Sequence, residues 1–276
     1  MERRAPQWKL VLAIFLASIW LLPLWWAAVS ALRRSDTIFK YLSPISVWTL
    51  WPREFTFENI ISLLSGPFTW AVINSLIVTT STIAFGLVLC STAAFALAVF
   101  NFPGRSVVFV CLVVSFLIPF DSVAVPLSSI LREGGLQNTY LGLILPGLGN
   151  GLAVFMLRQF FLGIPRELAE AALVDGLSWF GIFRKIYVPL SLPALTGAAL
   201  ILFVFQWQSY LWPLLIAPNP QYRVAAVAVA EFASQFHVDF GQMFAGAVLA
   251  ALIPMLVLLV FQRNFTSSVA KTGAKD

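Results

Sequence analysis

Residues able to do covalent or metal chemistry are few. His237 is the single histidine, and Cys90 and Cys111, the two cysteines, each lie inside an apolar run. A multi-histidine metal site is therefore excluded, and the thiols read as small apolar residues. No lysine ends a G-x-x-x-x-G-K-[ST] phosphate loop, so the chain is not expected to bind or hydrolyse ATP. No nucleophile and base pair suggests an enzyme. What remains is a set of polar residues embedded in apolar sequence: Asn74, Asp121, Asn150, Gln206, Gln208 and Tyr210, with Trp207 and Trp212 beside them. Such groups are costly in hydrocarbon and mark either a solute path or hydrogen-bonded helix contacts. Amides and a phenol can hydrogen-bond hydroxyls, and indoles can stack on the apolar faces of a sugar. Asp121 fits a solute contact and a plain interfacial carboxylate equally well.

The elements that must position these residues follow from composition. Of 276 residues, 60% are hydrophobic and 11% charged, with a mean hydropathy of +0.89. Soluble domains run at roughly 45–50% and about 25%, so lipid is the expected solvent. The net charge of +5 does not point to nucleic acid, because the basic residues fall in ones and twos between apolar stretches. A helix crossing the hydrocarbon core needs about 20 apolar residues, and six windows of that kind occur, at about 10–32, 71–100, 107–127, 140–161, 188–215 and 243–261. The reading is an all-α integral membrane protein of six transmembrane helices forming a single transmembrane domain over 1–276, with kinks expected at Pro23, Pro119, Pro146, Pro193 and Pro254. The first apolar run, preceded by Arg3, Arg4 and Lys9, exceeds the core of a signal peptide and is expected to remain as an anchor.

If the spans alternate, Arg3, Arg4, Lys9, Arg105, Arg158, Arg166, Arg184, Lys185, Arg263, Lys271 and Lys275 share one side. Arg33, Arg34, Lys40, Arg53, Arg132 and Arg223 lie on the other. The excess of positive charge places both termini in the cytoplasm. The outer side then carries the aromatic segment 33–70 and a segment 217–242, in which His237 reads as an ordinary loop histidine.

Between spans four and five, on the cytoplasmic side, lies the connector 164–187, IPRELAEAALVDGLSWFGIFRKIY. Pro165 and Glu167 suit a helix start, alanines and leucines propagate it, and Gly176 stops it, which predicts a helix of about ten residues, too short to span anything. Ser178 can cap a second stretch, Trp179–Tyr187, whose Trp179, Phe180, Phe183 and Ile186 are too apolar for a solvated connector. They pack either on the chain's own helix ends or on a soluble partner, and spacing alone leaves the two even.

Glu170-Ala171-Ala172, Gly176 six after Glu170, then Ile186 and Pro189, with Asp175 and Ser178 between, resemble the EAA loop of binding-protein-dependent ATP-binding-cassette importer permeases; Val188 replaces the usual leucine. FMLRQFF at 155–161, WQSYLWPL at 207–214 and FQRNF at 261–265 are similar to the carbohydrate-uptake branch, the maltose and glycerol-3-phosphate permeases. The resemblance implies an inner-membrane subunit, not itself catalytic, that pairs with a second permease. Two cytoplasmic ATPase subunits holding ATP and Mg, and an extracytoplasmic binding protein delivering a sugar or related solute, complete the assembly. Glu170, Ala171, Ala172, Asp175, Gly176, Ser178, Ile186 and Pro189 would then form the coupling element, and Asn74, Asp121, Asn150, Gln206, Trp207, Gln208 and Tyr210 the solute path. The competing readings are a stand-alone secondary transporter, which would need midplane ion-coupling carboxylates and an internal repeat, and a membrane scaffold, which leaves the loop unexplained.

Overall fold

A computed structural model describes residues 7–233 and 238–273, with side chains for 8–233 and 238–261. His237, and the side chains of the 261–265 stretch beyond Phe261, lie outside the described residues. Fourteen α-helices follow one another with no strand among the described residues: α1 (Gln7–Ala31), α2 (Glu58–Leu64), α3 (Pro67–Val99), α4 (Arg105–Leu117), α5 (Phe120–Glu133), α6 (Tyr140–Leu148), α7 (Gly151–Leu162), α8 (Arg166–Val174), α9 (Trp179–Ile182), α10 (Val188–Leu190), α11 (Leu192–Trp207), α12 (Leu211–Ile216), α13 (Ala225–Glu231) and α14 (Phe240–Gly273). A π-helical turn, Phe183–Tyr187, joins α9 to α10.

Three helices are long and apolar enough to cross a membrane unaided: α1, α3 and the Phe240–Phe261 part of α14. The other expected spans are bent pairs, and counting each pair as one span gives six. The six-span layout holds, with breaks deeper than the kinks expected at the prolines. Span three is α4 followed by α5 at 99°, because Ile118 is extended at φ −74°, ψ 121° before Pro119, as the residue before a proline prefers. Span four breaks by 43°, not at Pro146 but at Gly149-Asn150, both outside the helical region of backbone space. Pro146 is tolerated within α6 because the carbonyl it leaves unpaired, that of Gly142, accepts a hydrogen bond from Trp212 Nε1 at 3.1 Å. Span five is bent by 85° between Trp179–Leu190 and α11, and is interrupted again at 208–210 before α12. Pro23 and Pro254 lie inside α1 and α14, which continue through them.

The chain divides into two compact units. The first comprises residues 1–72 and 227–253. Its core joins Ala31, Leu63, Phe68, Ala71, Ala228 and Ala245. Its connector 33–57 is organised by Arg33, 2% exposed, which donates to the carbonyls of Ile38, Trp48 and Thr49. Asn59 ties the same point down by donating to Ala31 and Arg33 carbonyl oxygens at 3.0 and 2.6 Å. Burial pushes the Arg33 pKa below its ordinary value, opposed by Tyr41. Arg33 is thus a structural cation and not the solvated loop charge its position in the charge count suggests.

The second unit comprises 73–226 with 254–276. Its larger core gathers Cys90, Ala94, Phe95 and Ala98 of α3, Leu157 and Phe161 of α7, Ala169 and Ala172 of α8, Ile182, Tyr187, and Ala194 and Ala198 of α11. A smaller one joins Val78, Ala124, Leu143, Ile144, Trp212 and Ile216. Cys90 is buried and Cys111 exposed, both free thiols.

Candidate functional site

Two features of the second unit carry the functional argument, and the first is the 164–187 loop. Helix α8 spans Arg166–Val174, with Pro165 as N-cap and Glu167 in its first turn. It stops because Gly176 adopts φ +81°. The Leu177 amide then reaches the Ala172 carbonyl at 2.9 Å and the Gly176 amide that of Leu173 at 3.0 Å, a Schellman closure. Ser178 restarts the chain by accepting from the Gly181 amide at 3.2 Å. Ala169 and Ala172 face inward to the core. The small side chains let α8 lie close, and Phe95 holds it from below through ring contacts with Phe161, Phe183 and Tyr187, the last at 4.9 Å between centroids. Trp179 caps the cluster against Phe100 at 5.0 Å.

The two readings of the loop's apolar surface therefore divide it between them. Trp179, Phe183 and Ile186 pack on the chain's own helices. Val174 at 88% and Phe180 at 69% exposure do not, and Glu170, Ala171, Leu173 and Asp175 are exposed with them. Of the residues the motif singles out, Glu170, Ala171, Asp175, Gly176, Ser178 and Pro189 lie on the exposed side, Ala172 is buried, and Ile186 is half-buried.

The second feature is a cavity of about 530 Å³ where the helix breaks converge: Ile118, Pro119 and Phe120 from one, Gly149, Asn150 and Gly151 from another, and Gln206, Ser209 and Trp212 from the third. That volume lies within the ordinary range of small-molecule sites, about 300–1,000 Å³. Phe116, Phe205, Ser115 and Gly147 complete much of the wall, and no ionisable side chain lines it. Gly147 leaves room there for Gln206: a Cβ would stand 2.5 Å from Gln206 Oε1, so the amide lies directly on the backbone of α6 and would have to shift for any larger residue.

Of the expected solute-path residues, the cavity brings together Asn150 and Gln206. Asn150 also caps α7, accepting from the Ala153 amide at 3.0 Å. Asn74 is elsewhere, buried and committed to the chain: it donates to the Gln221 and Arg223 carbonyls at 2.8 and 2.9 Å and accepts from Tyr140 Oη at 2.8 Å. Trp207 stacks on Phe203 at 5.8 Å, while Asp121, Gln208 and Tyr210 are exposed and do not line the cavity. Sequence reading missed Ser115, Phe116, Phe120, Phe205 and Ser209. Their shared signal is adjacency to a break, legible only once the breaks are known. No cluster of three His, Cys, Asp or Glu side chains that could hold a metal occurs among the described residues.

The pattern of the family described as the binding-protein-dependent transport system inner membrane component matches residues 86–271, which include the 164–187 loop and the whole cavity wall. The chain belongs to this family. It is a multi-pass inner-membrane permease of the importer class, which favours neither a stand-alone transporter nor a scaffold. The permease is 33% identical to the trehalose transport system permease protein SugB of Mycobacterium tuberculosis, covering 99% of this chain and 98% of the relative. It is 31% identical to the sn-glycerol-3-phosphate transport system permease protein UgpE of Salmonella typhi over 89% of each. Its fold is similar to that of a crystal structure of a bacterial ABC transporter involved in the import of the acidic polysaccharide alginate, with a TM-score of 0.79, 20% identity, and coverage of 96% and 99%.

Proposed function

We propose that this permease is one half of the membrane pathway for a neutral carbohydrate, driven by ATPase subunits that grip α8. The observation that carries the solute class is the lining of the 530 Å³ cavity: rings from Phe116, Phe120, Phe205 and Trp212, with hydrogen-bonding groups from Asn150, Gln206 and Ser209, and no charge. Aromatic faces with a few amides and hydroxyls suit hydroxylated rings. A phosphate ester or uronate would enter with its own charge unpaired, at a cost of several kcal/mol. Of the two relatives, the trehalose permease therefore offers the closer chemistry to this cavity than the glycerol-3-phosphate permease. Asn74 serves this pathway by holding α3 to the 221–223 turn, and Trp207, Gln208, Tyr210 and Asp121 frame its approaches.

A second permease completes the pathway, a binding protein delivers the solute, and ATP and Mg stay on two ATPase partners. The chain works as a single permease domain with both termini cytoplasmic. The exposed edge of α8, with Glu170, Ala171, Asp175 and Val174, is the surface those partners hold. Ala172, Ile186 and Pro189, with the turn at Gly176-Ser178, pass the movement to α3, α7 and α11 through the Phe95 cluster. Movement between two packings, biased by nucleotide on another chain, then opens the cavity to alternate sides.

The test is co-purification in detergent of the chain with its partner subunits. Glu170→Arg combined with Val174→Asp, both on the exposed face, is expected to insert normally and lose the ATPase. Retention of the ATPase by the double variant would remove α8 as the grip. Uptake by the reconstituted transporter tests the solute: neutral oligosaccharides should be carried and sugar phosphates excluded, and the reverse order would overturn the cavity argument.

A further inference from the structure

A second cavity, of about 440 Å³, lies where the α3–α4 connection meets α7, and its walls include Asn101, Phe102, Arg105, Val107 and Arg158. Both arginines are half-buried, and no carboxylate pairs with either among the described residues. Each is held from behind. Arg158 donates through Nε to the Leu97 carbonyl at 3.0 Å and lays its guanidinium over Phe109 at 4.0 Å from the centroid. Arg105 uses Nη1 on the Phe100 carbonyl at 3.1 Å and Asn101 Oδ1 at 2.9 Å. The two terminal nitrogens of Arg158, and Nε and Nη2 of Arg105, have no hydrogen-bond partner among the described residues.

Two guanidinium groups fixed from behind in one recess repel each other, and the cheapest relief is an anion that both can chelate. Arginine forks match phosphate oxygens in pairs, and anchoring removes the entropy cost of ordering them. The surroundings decide which phosphate. Val107, Val110, Val114 and Leu117 are all exposed and recur at helical spacing, so an apolar stripe runs along α4 away from the recess. We propose that this recess binds the phosphate of an anionic phospholipid, whose acyl chain lies along that stripe. Basic recesses at the ends of membrane helices on the cytoplasmic side suit such headgroups. Asn101 also lines a small cavity with Arg166 and Glu170, so the headgroup sits beside the α8 loop and stiffens the α3–α4 connection on which Trp179 leans through Phe100.

The proposal is tested by native mass spectrometry of the full chain in detergent, titrated with phosphatidylglycerol, phosphatidylcholine or inorganic phosphate. Phosphatidylglycerol should bind saturably with one tight molecule, phosphatidylcholine at least tenfold more weakly, and inorganic phosphate should not displace the lipid at equal concentration. Arg105→Gln should weaken the lipid about fivefold and Arg105→Gln with Arg158→Lys by more than tenfold, whereas Arg184→Gln with Lys185→Gln, on the exposed loop, should leave it within twofold. Equal binding of the two lipids, or an equal loss in the loop variant, would show nonspecific attraction and overturn the site. Saturation by inorganic phosphate without lipid preference would make it a free-anion site and overturn the lipid. Should the arginine variants melt early, the comparison of probes on the unaltered chain decides alone.

Discussion

Asn74 and Gln206 show how alike two amides look in a sequence and how differently they serve. Both sit in apolar stretches, and both satisfy the rule that a polar group in a membrane helix has a purpose. Asn74 spends its amide and its carbonyl on Gln221, Arg223 and Tyr140, which no local pattern foretells, because those partners lie 66 to 149 residues away. Gln206 meets the backbone of Gly147 at the cavity wall. Asn74→Leu should therefore cost about 3 kcal/mol of stability, three part-buried hydrogen bonds being lost at about 1 kcal/mol each, with apparent solute affinity unchanged. Gln206→Leu, which removes the amide without placing a charge in the cavity, should melt close to the parent and lose most uptake of a neutral sugar. Thermal melting in detergent and uptake by the reconstituted transporter separate the two, and an uptake defect without a melting change in the Asn74 variant would move that residue into the path.

At the scale of the element, the α8 loop was the most legible part of the chain. Its start, its stop at Gly176 and the restart at Ser178 rest on near-neighbour chemistry, and each is found where that chemistry puts it to within a residue. The helix breaks were not legible to the same degree. Hydropathy windows measure composition and not continuity, so α4 with α5 reads as one span although the axis turns by 99°. Prolines are an incomplete guide as well. Pro119 breaks its helix, Pro23 and Pro254 do not, and the fourth span yields at Gly149-Asn150 while Trp212 repairs the carbonyl freed by Pro146. The strength of the loop's own signals gives a prediction: Gly176→Val, forced to φ +81°, should cost about 1–2 kcal/mol. It should weaken ATPase co-purification more than Ser178→Ala, whose lost cap costs about 1 kcal/mol. Equal recovery of the ATPase by both variants would separate the turn from the coupling.

For the whole molecule, charge counting and the structure meet at one place. Arg105 and Arg158, assigned to one membrane side by alternation, line a single recess beside the α8 loop. We propose that both termini lie on that same side, so reporter fusions at each end should read cytoplasmic; two extracytoplasmic signals would invert the orientation, and opposite signals would require one of the bent pairs to turn back instead of crossing. Distribution of the thiols offers the means to watch such movements. Cys90 is enclosed, its sulfur against the carbonyls of Leu148 and Asn150 at 3.5 and 3.7 Å, while Cys111 stands open midway along α4. A lipophilic maleimide dye or spin label applied to the unmodified protein in detergent would therefore attach at one position, roughly 9 Å along the helix axis from Arg105. The chain carries its own spectroscopic handle on α4, from which any change of that helix's tilt during transport can be read.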